Sequence, residues 1–124
     1  MRPDGAELSF ITWLQPGRLW LTVPVQVGEY LTLHLVLDTG SPLSGLSARS
    51  WVTLESGGLL ARAGRWHMLR DLRIEGQAIP DLPVRMSPRA TELDVDGILG
   101  LTFFGQFRAV HFDVPSMRLT LTLP

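Results

Sequence analysis

An all-β fold of many short strands is predicted by three observations. Apolar residues recur at every second position along most of the chain, turn-forming Gly, Pro, Asp and Ser residues punctuate these runs at short intervals, and only Leu101 to Phe107 reads as a short helix, near the C-terminus. The first run is the clearest. Leu19, Leu21, Val23, Val25 and Val27 share one face, with Trp20, Thr22, Pro24 and Gln26 on the other; Gly28-Glu29 then breaks the run, and Leu31, Leu33, Leu35 and Leu37 resume it opposite Thr32 and His34. This is a β-hairpin, in which Pro24, unable to donate a ladder hydrogen bond, marks an edge or a bulge.

Pro42 to Ser50 is small and polar, suited to a loop with a short strand or turn. Leu59 to Arg62 and Trp66 to Leu69 flank Ala63-Gly64-Arg65 as a second hairpin with a glycine tip. Further strands are expected at Leu72 to Ile74 and Leu82 to Met86, joined by Glu75-Gly76-Gln77, and a polar stretch from Ser87 to Asp94 precedes Asp96-Gly-Ile-Leu-Gly100. The chain closes on a hairpin: Val110, Phe112 and Val114 share a face, Pro115-Ser116 turns, and Met117, Leu119, Leu121 and Leu123 alternate with Arg118, Thr120 and Thr122. No internal repeat or low-complexity segment interrupts this order.

Composition narrows the class of function. At 124 residues the chain fits one domain, 1–124, with 1–17 as a possible N-terminal extension. Hydrophobic residues at 45% and charged residues at 19% describe a globular protein. A net charge of -1 gives no global attraction to nucleic acid or acidic lipid, and a basic domain with interleaved aromatics is lacking. Without cysteine there is neither a disulfide framework nor thiolate chemistry, and the redox compartment stays open. Asp4 and Glu7 precede any apolar run, unlike a signal peptide, and Glu29 and His34 break later runs well short of a membrane span. A soluble, cytoplasmic protein is the expectation, with the compartment itself unassigned.

The chemistry concentrates in Leu35-Val-Leu-Asp-Thr-Gly-Ser-Pro42. A carboxylate at the end of an apolar strand is costly unless it is hydrogen-bonded or shares its proton, so Asp38 asks for a functional reason. Asp, Gly, Ser and Pro are also ordinary turn formers, the bland alternative for this segment. Asp94 and Asp96 read as solvated turn residues, since a calcium loop would need further ligands. His34, His67 and His111 are too scattered for a metal site. Arg62, Arg65, Arg70 and Arg73, with His67, form a basic segment moderated by Asp71 and Glu75; it reads as a solvated hairpin face or as a preference for acidic peptide segments. The tryptophans and phenylalanines suit core or interface, and Trp13 or Trp20 could serve a partner surface.

Leu35-Val-Leu-Asp-Thr-Gly-Ser, followed about sixty residues later by Asp96-Gly-Ile-Leu-Gly-Leu-Thr-Phe-Phe104 and a closing hairpin, resembles the retropepsin-like aspartic proteases, the single-domain retroviral type, and in particular their cellular members of bacterial kind. The resemblance runs from about Leu19 to Leu123. It implies a closed or partly open acid-protease barrel, an aspartic endopeptidase acting on extended peptides, and a homodimer in which each subunit contributes one Asp38 to a dyad. It implies roles for the neighbours: Thr39 bonding across the dimer, Gly40 donating its N–H to the carboxylate, Ser41 orienting the outer carboxylate oxygen, and Ile98, Leu99 and Gly100 supporting the Asp38 loop. Ala63, Gly64, Arg65 and Trp66 become a flap over the substrate, bulkier and poorer in glycine than in viral relatives, and Leu101 stands where many viral members carry Arg. Met117 to Leu123 is the candidate strand for an inter-subunit sheet. The implied partners are a peptide or protein substrate and a second copy of the chain, with no cofactor, no metal and no nucleic acid. Two alternatives remain at this level: a silent module that dimerises and binds peptides or a protein without cleaving them, and a segment of a longer polypeptide whose flanks deliver the substrate.

Overall fold

The computed structural model describes residues 5–14 and 20–124. Leu19, at the start of the first alternating run, and Asp4 lie outside the described residues. Within 1–17, Glu7–Ile11 (β1) and Trp13–Leu14 (β2) are strands. There follow the long hairpin Leu21–Val27 (β3) and Leu31–Leu37 (β4), the short strand Gly45–Leu46 (β5), and the helix Ala48–Ser56 (α1). A second hairpin joins Leu60–Ala63 (β6) to Trp66–Leu69 (β7), and Leu72–Ile74 (β8) pairs with Gln77–Ile79 (β9). Leu82–Met86 (β10), the helix Pro88–Glu92 (α2), Gly97–Leu99 (β11) and the helix Leu101–Phe104 (α3) lead to the last hairpin, Ala109–Asp113 (β12) and Arg118–Thr122 (β13).

The strands form two sheets: a large curled one in the order β6-β7-β10-β5-β11-β4-β3-β8-β9, with β2 added beside β3, and a small one, β1-β13-β12. Period-two alternation has the expected physical origin, one face of each strand being turned to the core. Val23, Val25, Val27, Leu33 and Leu35 are buried there with Leu8, Phe10, Leu119 and Leu121 from the small sheet. Phe103 stacks edge-on against Phe104 and Phe107, each at 5.2 Å between ring centres, and fills the space below α3.

Pro24 is accommodated without a bulge. It pairs in register with His34, whose N–H points away from β3 to Asp96 Oδ2 at 2.9 Å. On the other flank it falls between Thr22, held by β2, and Gln26, held by β8, so no strand demands the hydrogen bond that proline lacks.

Three expectations change. Helix forms not only over Leu101–Phe104 but also in α1 and α2. The hydroxyls of Ser47 and Ser87 cap these helices by accepting from the N–H groups of Ser50 and Ala90, and Pro88 occupies the first turn of α2, where its missing N–H costs nothing. The Glu75-Gly76 turn, with positive φ at both residues, leads into β9 and not directly into β10. Finally, β13 lies between β1 and β12, so both its edges are already paired and Met117 to Leu123 is not free to accept another chain.

The two edges of the small sheet differ. That of β1 is closed by side chains: Ile11 N–H donates to Glu75 Oε2 and Gln77 Nε2 donates to Ser9 O. That of β12 is open, with Ala109, Val110, His111 and Asp113 exposed. Among the described residues, no helix is long and apolar enough to cross a membrane.

Candidate active site

The centre of the large sheet is threaded in an unusual order. β4 ends at Leu37, the chain loops through Asp38-Thr39-Gly40-Ser41, and β5 begins at Gly45; the gap between β4 and β5 is then filled by β11, parallel to β4 and antiparallel to β5. The Asp38 loop therefore projects from a sheet whose middle strand is Gly97-Ile98-Leu99. Small residues make this possible. A Cβ on Gly97 would stand 2.6 Å from Gly45 O, and one on Gly100 would stand 2.5 Å from both Ser41 O and Leu43 O.

Hydrogen bonds tie the loop to β11 and to the start of α3. Asp38 N–H donates to Leu99 O at 2.9 Å, and Leu101 N–H to Ser41 O at 2.8 Å. Beneath the loop the buried Ser44 forms a tight knot. Its N–H donates to Thr102 Oγ1 at 2.9 Å, Thr102 Oγ1 donates to Ser44 Oγ at 2.8 Å, and Gly100 N–H donates to Ser44 Oγ at 3.0 Å. Within the loop, Ser41 N–H closes a turn on Asp38 O at 3.1 Å. Gly40 N–H donates to Asp38 Oδ1 at 3.0 Å, holding the carboxylate against the backbone.

Asp38 is half-buried and lines a groove of about 350 Å³ together with Trp20, Val36, Leu37, Arg89 and Ile98 among others. Thr39 is exposed, and among the described residues its hydroxyl has no hydrogen-bond partner. The Ser41 hydroxyl donates to Leu43 O at 2.9 Å, so its proton is spent inside the loop and not on the Asp38 carboxylate. Ile98, Leu99 and Gly100 are buried directly behind the loop. Ala63, Gly64, Arg65 and Trp66 form the exposed tip of the β6–β7 hairpin, whose two-residue turn has Gly64 at φ +62. His67, in the same hairpin, rests edge-on against Trp51 of α1 at 4.9 Å, and Arg85 of β10 lies 5.9 Å from the centre of the Trp66 ring.

The fold as a whole has counterparts among solved structures. The chain superposes on a retropepsin-like aspartic protease from Rickettsia conorii with a TM-score of 0.65 over 99% of this chain and 97% of that one. The fold is retropepsin-like. Sequence identity to that protein is 15%. A second match, the retroviral protease-like domain of Ddi1 from Leishmania major, gives a TM-score of 0.56 at 18% identity, covering 86% of this chain and 98% of that one. No family model and no curated protein matches the sequence.

The retropepsin-like fold brings together Asp38, Thr39, Gly40 and Ser41 with Ile98, Leu99 and Gly100. Sequence reasoning overlooked the residues that fasten and line this site. Ser44 and Thr102 look like ordinary loop and helix residues until the crossing of β11 puts them face to face. Arg89 was hidden in a stretch read as polar linker, although Ser87-Pro88 is a helix-start pattern that would have pointed to α2. Asp96, expected as a solvated turn residue, latches the backbone of β4 through His34 N–H, while the exposed Asp94 pairs with Arg49 at 3.6 Å. Among the described residues no cluster of three His, Asp or Glu side chains forms a metal-binding group.

Proposed function

We propose that the chain is an aspartic endopeptidase: one domain that works as a homodimer and hydrolyses extended peptide segments with water activated by two Asp38 carboxylates, one from each subunit. The observation that carries this reading is the Asp38 loop itself. It presents a half-buried carboxylate, fixed by Gly40 N–H, in the wall of a groove in a retropepsin-like fold.

A single carboxylate cannot supply both proton transfers of amide hydrolysis, and a two-fold axis beside Asp38 provides the second. In the paired state one carboxylate is ionised and takes a proton from water as the water attacks the peptide carbonyl carbon. The other, protonated, donates to the carbonyl oxygen, giving a neutral tetrahedral diol. Collapse of the diol breaks the C–N bond as a proton passes to the leaving nitrogen. The exposed Thr39 hydroxyl is suited to bonding the partner's loop, Gly100 and its neighbours hold the loop from behind, and the β6–β7 tip covers the extended substrate, which binds by strand addition. The open β12 edge is where a second copy adds to the small sheet.

The test is hydrolysis of an unfolded protein and a mixed peptide library from acid to neutral pH, comparing the wild type with Asp38→Asn at matched dimer concentration. The expected outcome is cleavage by the wild type, with Asp38→Asn reduced to below about a thousandth of it. A well-folded dimer that cleaves nothing would overturn the peptidase reading in favour of a peptide-binding module.

A further inference from the structure

The groove beside Asp38 does not end there. Arg89 and Ile98 line it and also line a second groove of about 300 Å³ that runs past Ser41, Ser44 and Met86 to Arg85. Arg85 in turn shares a third groove with Arg65 and Trp66 at the hairpin tip. The three grooves are thus neighbours with shared lining residues, and their charged residues are Asp38 in the first, Arg89 between the first and second, Arg85 between the second and third, and Arg65 in the third.

These arginines, like the exposed Arg62 and Arg108, have no carboxylate partner among the described residues, but unlike those two they line the grooves. Arg49, Arg70 and Arg73 are neutralised by Asp94, Asp81 and Asp71, at 3.6, 3.8 and 3.8 Å. Among the described residues, no carboxylate lies within ion-pair distance of Arg65, Arg85 or Arg89, not even Glu92, one helical turn beyond Arg89. Arg85 is further restricted by its position over the face of Trp66, which leaves the guanidinium edge available while limiting its rotamers. A guanidinium offers a planar fork of donors that matches a carboxylate in two parallel hydrogen bonds. Three such forks with no acidic partner, lining neighbouring grooves of which the first holds the proposed catalytic group, are suited to negative side chains.

The geometry points to a preference for peptides that carry Asp or Glu side chains next to the scissile bond, read by Arg89 and Arg85, with Arg65 reinforcing the far end. The inference rests on the Asp38 groove being a peptide site, and deepens that reading by assigning the substrate class.

The test uses the full chain and peptide series identical except for Glu, Gln or Lys at each position flanking the cleaved bond. kcat/KM is measured for the wild type, for Arg85→Gln/Arg89→Gln and for Arg85→Glu/Arg89→Glu, each checked for fold by circular dichroism and for dimer by sedimentation. The expected result is that Glu peptides exceed their Gln counterparts by about tenfold or more in the wild type, the scale of one charge-assisted hydrogen bond, with the advantage shrinking in high salt. The ratio falls to near unity in the double Gln variant and turns toward Lys in the double Glu variant. Cleavage of all three series at equal rates by the wild type would overturn the inference while leaving the peptidase reading intact. If nothing is cleaved, binding of the same labelled peptides decides: a Glu preference that depends on Arg85 and Arg89 upholds the acidic receptor and sinks proteolysis, and equal or absent binding sinks both.

Discussion

At the scale of single residues the site is governed by what fits behind Asp38. Gly100 meets two carbonyl oxygens of the Asp38 loop at 2.5 Å from its would-be Cβ, and both are backbone atoms that cannot swing aside as a side chain would. Gly100→Ala is expected to destabilise the fold by about 1–3 kcal/mol, read as a lowered thermal midpoint, and to reduce peptide cleavage more than stability predicts, because the atoms displaced belong to the loop. Ser44→Ala removes an acceptor for Gly100 N–H and a partner of Thr102. It should cost about 1–3 kcal/mol in chemical denaturation, the penalty for leaving a buried donor unpaired. Asp38 and its loop were legible in the sequence because a polar residue ending an apolar strand, followed by Gly, is a local pattern. Ser44 and Thr102 were not, because their importance arises from a crossing between segments far apart in the chain.

At the scale of elements the strands were legible where they are long enough to alternate and half-buried enough to need it, as in β3, β4 and β13. The three-residue β9 is too short to show a period. α1 and α2 escaped because serine-led polar segments look like turns unless the serine is recognised as a cap. α1 matters beyond its size, since its Trp51 is the support on which His67 of the β6–β7 hairpin leans. Trp51→Ala should loosen that hairpin, and hydrogen exchange at Trp66 to Leu69 is expected to accelerate while the amides of β3 and β4 keep their protection. Equal acceleration in both hairpins would mean that Trp51 supports the whole core and not this contact.

At the scale of the whole molecule the small sheet carries the open edge that the proposed dimer would use. Sequence pattern identified its last hairpin, but not which strand would lie in the middle, because pairing partners are chosen across the whole chain length. With β13 enclosed and β1 closed by Glu75 and Gln77, β12 is the edge of this sheet left open for the proposed second copy. Charges on that edge should block strand addition, so Val110→Lys/Val114→Lys, at two exposed positions of β12 and its end, is expected to shift sedimentation toward monomer and abolish cleavage together. A variant that stays dimeric and active would place the dimer contact elsewhere. The insertion of β11 between β4 and β5 also has a consequence for the order of events in folding. The strand that shapes the Asp38 loop lies beyond a separation of 62 residues, as between His34 and Asp96, and closing so long a segment is a late, entropically costly event. While the chain is being made, Asp38 emerges well before Gly97 to Gly100, and the loop has no fixed shape until they arrive. A chain truncated before Gly97 therefore lacks the strand that shapes the Asp38 loop, and the proposed catalytic arrangement cannot form in it.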